Sequence, residues 1–339
     1  MKKISVHEAV GHVLCHDITQ IIPGKIKDRA FKKGHVVREE DIPVLLSLGK
    51  DNLYVWENKE GYLHEDDAAQ RLSKMSAGAG IDFSEVKEGK INFIAKYDGL
   101  LKIDTNMLYE VNKLEEIMLA TRHNNTPVKK GDKLAGTRVI PLVIDEKKII
   151  EAESIAKNTF IEVVPYKKLK VGVVTTGNEV YYGRIEDKFG PVIKEKIESY
   201  GSEVIEQRIV NDDSDVIAKN IEELMDKGAD MIVCTGGMSV DPDDTTPTGI
   251  KKVGGEIISY GAPVLPGAMF LISYKGDTPI LGLPGCVMYA KTTVFDLVLP
   301  RVLIGERIKK EDLAAYGHGG LCLECDVCTY PACSFGKGW

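Results

Sequence analysis

The chain has 339 residues, of which 43% are hydrophobic and 28% charged, and it carries a net charge of −7. That length suits two or three globular domains, and the acidic balance excludes nonspecific binding to nucleic acid or to an anionic membrane, so an anionic ligand must be met by local features. Lys2 and Lys3 lead into His7 and Glu8 rather than an apolar run, and the weakly charged stretch 279–305 is broken by Lys291, Asp296, Arg301 and internal Pro and Gly. Neither a secretory leader nor a membrane-spanning helix is expected, and a cytoplasmic location is.

Residues 1–165 alternate short strand-like runs with turns, and the expectation is a mixed, β-rich support region. Residues 39–48 have a helical apolar pattern closed by Gly49, residues 52–56 read as a strand, and residues 65–75 read as a second helix. Residues 91–103 alternate about Asp98-Gly99, the signal of a hairpin. The pattern predicts a helix over 114–122. Residues 128–136 and 139–144 read as the edge of a β-barrel, with Gly131 and Asp132 in the turn. His7, His12 and His16 match no familiar metal spacing and are read as solvated or hydrogen-bonded histidines.

From Lys170 the pattern becomes strand, loop, helix, repeated. Residues 171–176 read as a buried strand ending at Gly177, 191–200 as a helix closed by Gly201, and 204–209 as the next strand. Residues 211–214 then cap a helix that places Ile217, Ile221, Leu224 and Met225 on one face and ends at Gly228. A β-branched run from Met231 follows, then Gly236-Gly237, then Asp241, Asp243 and Asp244, with Pro247 suited to the first turn of a further helix. A hairpin over 270–283, turning at residues 275–277, supplies the strand before Pro284-Gly285. Such alternation implies a parallel-rich sheet with helices on both faces, and ligands of such sheets bind beyond the carboxyl ends of the strands. Loop amides there favour an anion, and acids beside an anion imply a hard cation between them. The expectation is a phosphorylated ligand with magnesium.

Taken in order, Thr175-Thr-Gly-Asn-Glu179, Gly183-Arg-Ile-Glu-Asp187, Thr235-Gly-Gly237, Asp244-Thr-Thr-Pro247 and Leu283-Pro-Gly285 resemble the molybdopterin-binding domain of the enzymes of molybdenum cofactor biosynthesis. Each motif alone is weak; the ordered set, spanning roughly residues 167–305, is specific. The resemblance implies three divisions: a support region (1–165), a molybdopterin-binding α/β domain (166–306) and a Cys-rich segment (307–339). It also implies that Thr176, Gly177, Glu179, Asp187, Thr235, Gly236, Gly237, Ser239, Pro284 and Gly285 bind the pterin. Asp212 and Asp244 are implied as the catalytic acids acting through magnesium.

The long region ahead of the domain is similar to the layout of the molybdopterin molybdenumtransferases, whereas Asp244-Thr-Thr-Pro247 is more similar to the loop of the adenylyltransferase branch. Departures lie at Lys188-Phe189, where the transferase pattern continues Ser-Asn, and at Cys286-Val287, where it continues Asn-Pro. The Asp-Gly-Tyr-Ala-Val signature of the transferases is absent, and past Gly305 a cysteine-rich segment stands in place of their C-terminal β-domain. The leading expectation is a transferase-like enzyme that takes molybdopterin or its adenylate and, with magnesium and molybdate, promotes metal insertion with AMP release. Adenylylation of molybdopterin by ATP, and a noncatalytic carrier or sensor docking a molybdoenzyme, stay open as alternatives. The family implies a dimer or trimer.

Cys15, Cys234 and Cys286 are scattered among apolar neighbours, while Cys322, Cys325, Cys328 and Cys333 crowd into a dozen residues. Without a secretory signal this clustering favours metal over structural disulfides. Four thiolates suffice for zinc or for an iron–sulfur cluster; the first three follow a C-x2-C-x2-C spacing, but the gap to Cys333 is one residue longer than in the bacterial ferredoxin run and Ser334 rather than proline follows, which keeps zinc open. The glycines around them suggest a segment with too little apolar surface to order itself without a metal.

Overall fold

The computed structural model describes residues 2–22, 26–55 and 60–338. The chain divides into two compact units. One takes the residues up to Ala95 together with Asp104–Arg122 and Asp132–Glu162; the other takes Lys96–Ile103, His123–Gly131 and the chain from Val163 onward.

The first unit holds helices at Ile42–Ser47, Glu65–Ser76, Thr105–Asn112 and Glu146–Ile155, and an antiparallel sheet ordered Ile81–Phe83, Ile91–Ala95, Lys133–Val139, Ile117–Thr121. A separate apolar cluster gathers Val6, Leu14, Leu45 and Leu53 beside the pair Lys2–Ser5 and Asn52–Val55. Trp56, expected to end that strand, lies outside the described residues.

Three expectations are corrected here. The helix predicted over 114–122 is instead the strand Ile117–Thr121: Ile117 and Leu119 are buried with period two, and the strand pairs with Lys133–Val139. The helix of this region is Thr105–Asn112, where the Asp104 carboxylate accepts from the Asn106 and Met107 amides. No barrel edge forms, because Thr126–Val128, Lys133–Val139 and Val143–Asp145 lie in three different sheets. The strands Ile91–Ala95 and Gly99–Ile103, read as one hairpin, likewise join different sheets.

The second unit is built on a six-stranded sheet. Its strands are β1 (Lys170–Thr176), β2 (Glu203–Val210), β3 (Met231–Thr235), β4 (Glu256–Tyr260), β5 (Leu271–Lys275) and β6 (Thr278–Leu283), and the spatial order is β2-β1-β3-β6-β5-β4. The first four positions are parallel, and β5 and β4 close the sheet antiparallel. The helices are α1 (Asn178–Tyr181), α2 (Phe189–Glu198), α3 (Ser214–Asp226), α4 (Thr246–Lys252), α5 (Val294–Leu303) and α6 (Lys310–Ala315). This is the mixed α/β architecture with a mostly parallel sheet that the alternating pattern predicted.

Strand alternation distributes the side chains between two cores. Val171 and Val173 of β1 pack with Ile193 of α2 and with Phe295 and Val298 of α5. Val174 joins Ile217, Ile221 and Leu224 of α3 on the other face. Each such side chain, fully buried, contributes about 1.5–3 kcal/mol. The exposed edge strand β2 carries the ion pairs Arg208 with Glu206 and Glu223, and Lys227 with Glu206, which discourage pairing with another strand.

The glycine-rich segment after α6 is packed rather than loose. Phe335 is 3% exposed in the same core as Tyr316, the Tyr330 hydroxyl donates to the Asp296 carbonyl at 3.0 Å, and residue 321 bridges residue 265. Among the described residues no helix is long and apolar enough to cross a membrane.

Candidate functional site

Strands β1 and β3 are adjacent and parallel, but their continuations diverge: the chain leaving β1 returns as β2 on one side, and the chain leaving β3 proceeds to the other side of the sheet. Strand order reverses at this point, and a crevice opens beyond the carboxyl ends. Register aligns Thr175 with Thr235 and Thr235 with Leu283, so Gly177, Gly236 and Pro284 follow three strands at one sheet edge.

Gly236 has φ of 85°, and a Cβ there would lie 2.1 Å from the Thr176 carbonyl oxygen. Only glycine lets the two strand ends come this close. Gly237 follows with φ of 51°, and its amide neighbourhood is closed by Thr246, whose backbone N–H donates to the Gly237 carbonyl at 3.3 Å. The hydroxyls of Thr176 and Thr246 are hydrogen-bonded at 2.9 Å, and the Thr235 hydroxyl donates to that of Thr175 at 3.2 Å. Tyr260 of β4 braces the same loop, its hydroxyl donating to the carbonyls of Met238 at 2.9 Å and Ser239 at 3.3 Å. Nothing in the local sequence marks Tyr260, because only the order of the strands brings it there.

Three strand-end loops are tied together at Asp212. Its carboxylate accepts the Asn178 amide at 2.8 Å, and its carbonyl accepts the Thr245 hydroxyl at 2.8 Å. Asp244 turns back on its own loop, accepting the Asp241 amide at 3.0 Å. Burial pushes the Asp212 carboxyl up from its ordinary value; the Asn178 amide opposes this, and the charges of Glu179, Asp243 and Asp244 add to the rise. Among the described residues no basic side chain pairs with any of these four acids. Thr176, Gly177, Asp212, Thr235, Gly236, Gly237 and Asp244 thus converge, with Glu179 and Ser239 on exposed positions of the same loops.

Asp187 is engaged differently. Its carboxylate accepts the amides of Phe189 (2.9 Å) and Gly190 (3.1 Å), capping the start of α2, and accepts from Gln207 Nε2 at 2.6 Å. Gln207 also donates to the Thr175 hydroxyl at 2.9 Å, so it links the cap to β1; a lone glutamine in a strand gave no sequence signal. Pro284 is buried at the end of β6, and Gly285 presents open backbone with no heavy atom within 4 Å of a Cβ position.

The four clustered cysteines lie elsewhere in this unit. Among the described residues no three or more His, Cys, Asp or Glu side chains are gathered closely enough to hold a metal ion, which covers the cysteines, His7, His12 and His16, and the acids Glu179, Asp212, Asp243 and Asp244 alike.

Residues 172–303 match the family described as "Probable molybdopterin binding domain", and residues 3–57 match a domain of unknown function. The chain is 25% identical over 308 residues to a molybdopterin molybdenumtransferase of Haemophilus influenzae, covering 88% of this chain and 71% of that one. It is 35% identical over 95 residues to a molybdopterin adenylyltransferase of Pyrococcus furiosus, covering 28% of this chain and 56% of that one. Among solved structures, the tungsten cofactor synthesizing protein MoaB from Pyrococcus furiosus is 25% identical, with a TM-score of 0.33, covering 40% of this chain and 92% of that chain.

Proposed function

We propose, on the premise that residues 172–303 form a molybdopterin-binding domain of the molybdenum cofactor biosynthesis family, that the protein binds adenylyl-molybdopterin in the crevice beyond β1 and β3 and promotes molybdate insertion with release of AMP. The observation that carries this reading is the acid cluster itself. Asp212 is half-buried and feels the charges of Glu179, Asp243 and Asp244, its carbonyl is tied to the Thr245 hydroxyl of the loop that Gly236 and Gly237 open, and it has no basic partner among the described residues. Like charges held together raise the free energy of the ligand-free site, and an arrangement retained at that cost suits a divalent cation bridging carboxylate and phosphate.

The donor set fits magnesium, since it is made of hard carboxylate oxygens from Asp212 and Asp244. Bound there, magnesium would supply charge compensation on the phosphate that loses AMP. The chain's own part is positioning. The glycine backbones of 236 and 237 allow close approach of a phosphate, the Thr176–Thr246 hydroxyl pair holds the two loops at fixed separation, and Asn178 orients the Asp212 carboxylate through its amide. Asp187 serves in this reading as the anchor of α2, with its carboxylate already committed to amides and to Gln207.

Heat release of ligand from purified protein, followed by oxidation and pterin fluorescence, tests the binding reading; AMP in the same extract supports the adenylate as substrate. Turnover of adenylyl-molybdopterin with molybdate and magnesium tests the reaction, and Asp212→Asn and Asp244→Asn are each expected to lower it at least about a hundredfold with the fold intact. A protein that neither carries nor binds pterin, or variants that turn over at the wild-type rate, would overturn the assignment. A second reading, adenylylation of molybdopterin by ATP, is favoured by the Asp244-Thr-Thr-Pro247 loop and by the adenylyltransferase relative. Incubation with molybdopterin, ATP and magnesium separates the two, because only the second consumes ATP with release of pyrophosphate.

A further inference from the structure

All seven cysteines are free thiols, and the four that cluster in sequence line one cavity of 420 Å³. Cys322 and Cys333 pack against the apolar core, whereas Cys325 and Cys328 are exposed. The segment that carries them is tied to the rest of the unit by hydrogen bonds and by an apolar anchor. The Cys322 amide donates to the Leu265 carbonyl at 2.8 Å, the Tyr330 hydroxyl to the Asp296 carbonyl at 3.0 Å, and Phe335 is buried. Residues 289–292, which follow the loop opened by Pro284 and Gly285, also line the cavity. There Lys291 Nζ donates to the Asp326 carbonyl at 2.7 Å, and Thr292 Oγ1 lies 3.4 Å from Cys328 Sγ.

We infer that this cavity is the site of a four-iron iron–sulfur cluster ligated by Cys322, Cys325, Cys328 and Cys333. Two observations favour a cluster over zinc. A cluster takes each thiolate on a different iron and needs an empty volume between the cysteines, which the cavity supplies. The C-x2-C-x2-C spacing of the first three is that of ferredoxin-type cluster binding. The ammonium of Lys291, on the cavity wall, offsets the negative charge that four thiolates bring to a cluster. Assembly exchanges four S–H bonds for four Fe–S bonds and releases four protons to solvent. Two ferrous ions, two ferric ions and four sulfides enter from outside, so loading involves no net oxidation or reduction.

The site goes beyond the pterin chemistry, and its test does not depend on it. Full-length protein reconstituted anaerobically with iron and sulfide is expected to hold about four iron and four sulfide per chain, with visible charge-transfer absorption that bleaches on reduction with dithionite. Cys325→Ser and Cys328→Ser alter exposed positions, so both variants are expected to melt cooperatively like apo wild type while losing at least half of the bound iron. Cys15→Ser, at a cysteine outside the cavity, is expected to load as wild type does. Wild type that takes up no iron and sulfide, that takes up zinc alone from a mixture of zinc, iron and sulfide, or that is matched by both Cys325→Ser and Cys328→Ser in cluster content would overturn the assignment.

Discussion

Two groups of carboxylates in the same unit are treated in opposite ways. Glu306 and Asp312 converge on Arg301, a residue 4% exposed whose guanidinium donates to Glu306 at 2.6 Å, Asp312 at 2.7 Å and the Tyr316 hydroxyl at 3.3 Å. Burial alone would raise both carboxyls; the Arg301 hydrogen bonds and charge, helped by Lys102 at Glu306 and by the Lys309 amide and charge at Asp312, outweigh it and hold them below the ordinary range. At Asp212 burial also raises the carboxyl, but the neighbours are Glu179, Asp243 and Asp244, and the value stays up. The same residue type is therefore a structural tie in one place and a stored repulsion in the other. A fold keeps buried charges when they are paired, and the unpaired carboxylate at Asp212 is the group that the proposed cation and phosphate would compensate.

Breaking the paired cluster is expected to have the largest effect. Arg301→Met leaves Glu306 and Asp312 without their shared partner, and the expected loss is about 3–5 kcal/mol of unfolding free energy, read from denaturant midpoints. A variant within about 1 kcal/mol of wild type would show that the two carboxylates are satisfied without Arg301. At the unpaired cluster the expectation reverses. Asp212→Asn and Asp244→Asn should leave the ligand-free melting temperature unchanged or raised, while transition-state stabilisation falls by about 3–4 kcal/mol. Lower melting with undiminished turnover would make Asp212 a structural residue and erase the contrast.

Gly236→Ala probes the frame between the two strand ends. A Cβ at a left-handed φ and 2.1 Å from the Thr176 carbonyl must move one loop, at an expected cost of about 1–3 kcal/mol together with weakened pterin binding. Ligand affinity equal to wild type would show that the crevice does not rely on this contact. The smallest expected effect is in pH dependence. Carboxyls held below their unfolded values contribute stability that is complete above the unfolded value and is lost as pH falls through the folded one. Wild-type stability should therefore decline on acidification below about pH 4. The stability gap between wild type and Arg301→Met should narrow over the same window, because protonation removes the charges that Arg301 served. A constant gap would mean that the carboxylates contribute by packing alone.

The comparison also marks where sequence reading succeeds. The strands Lys170–Thr176 and Met231–Thr235, the helix Ser214–Asp226 and the turn between Leu271–Lys275 and Thr278–Leu283 were all legible, because each is set by local periodicity, a cap or a turn dipeptide. The stretch Ile117–Thr121 misled because five residues with Ile, Met, Leu and Ala satisfy a helical spacing as easily as a strand's, and pairing with Lys133–Val139 decides between them. The glycine loops and the acids were found as types, but Tyr260 and Gln207 were not, since their partners lie about 20 to 30 residues away in sequence.

From the amino-acid order alone came the ordered set of motifs, the strand-loop-helix alternation and the four-cysteine spacing, all properties of neighbouring residues. Tertiary structure alone decided that Gly236 meets the Thr176 carbonyl, that Asp187 caps α2, that Arg301 joins Glu306 to Asp312, and that four cysteines on a segment anchored by Phe335 line one cavity. The physical reason is the crossover in strand order: it brings together residues that no local rule relates, and close packing then determines which charges are paired and which are not.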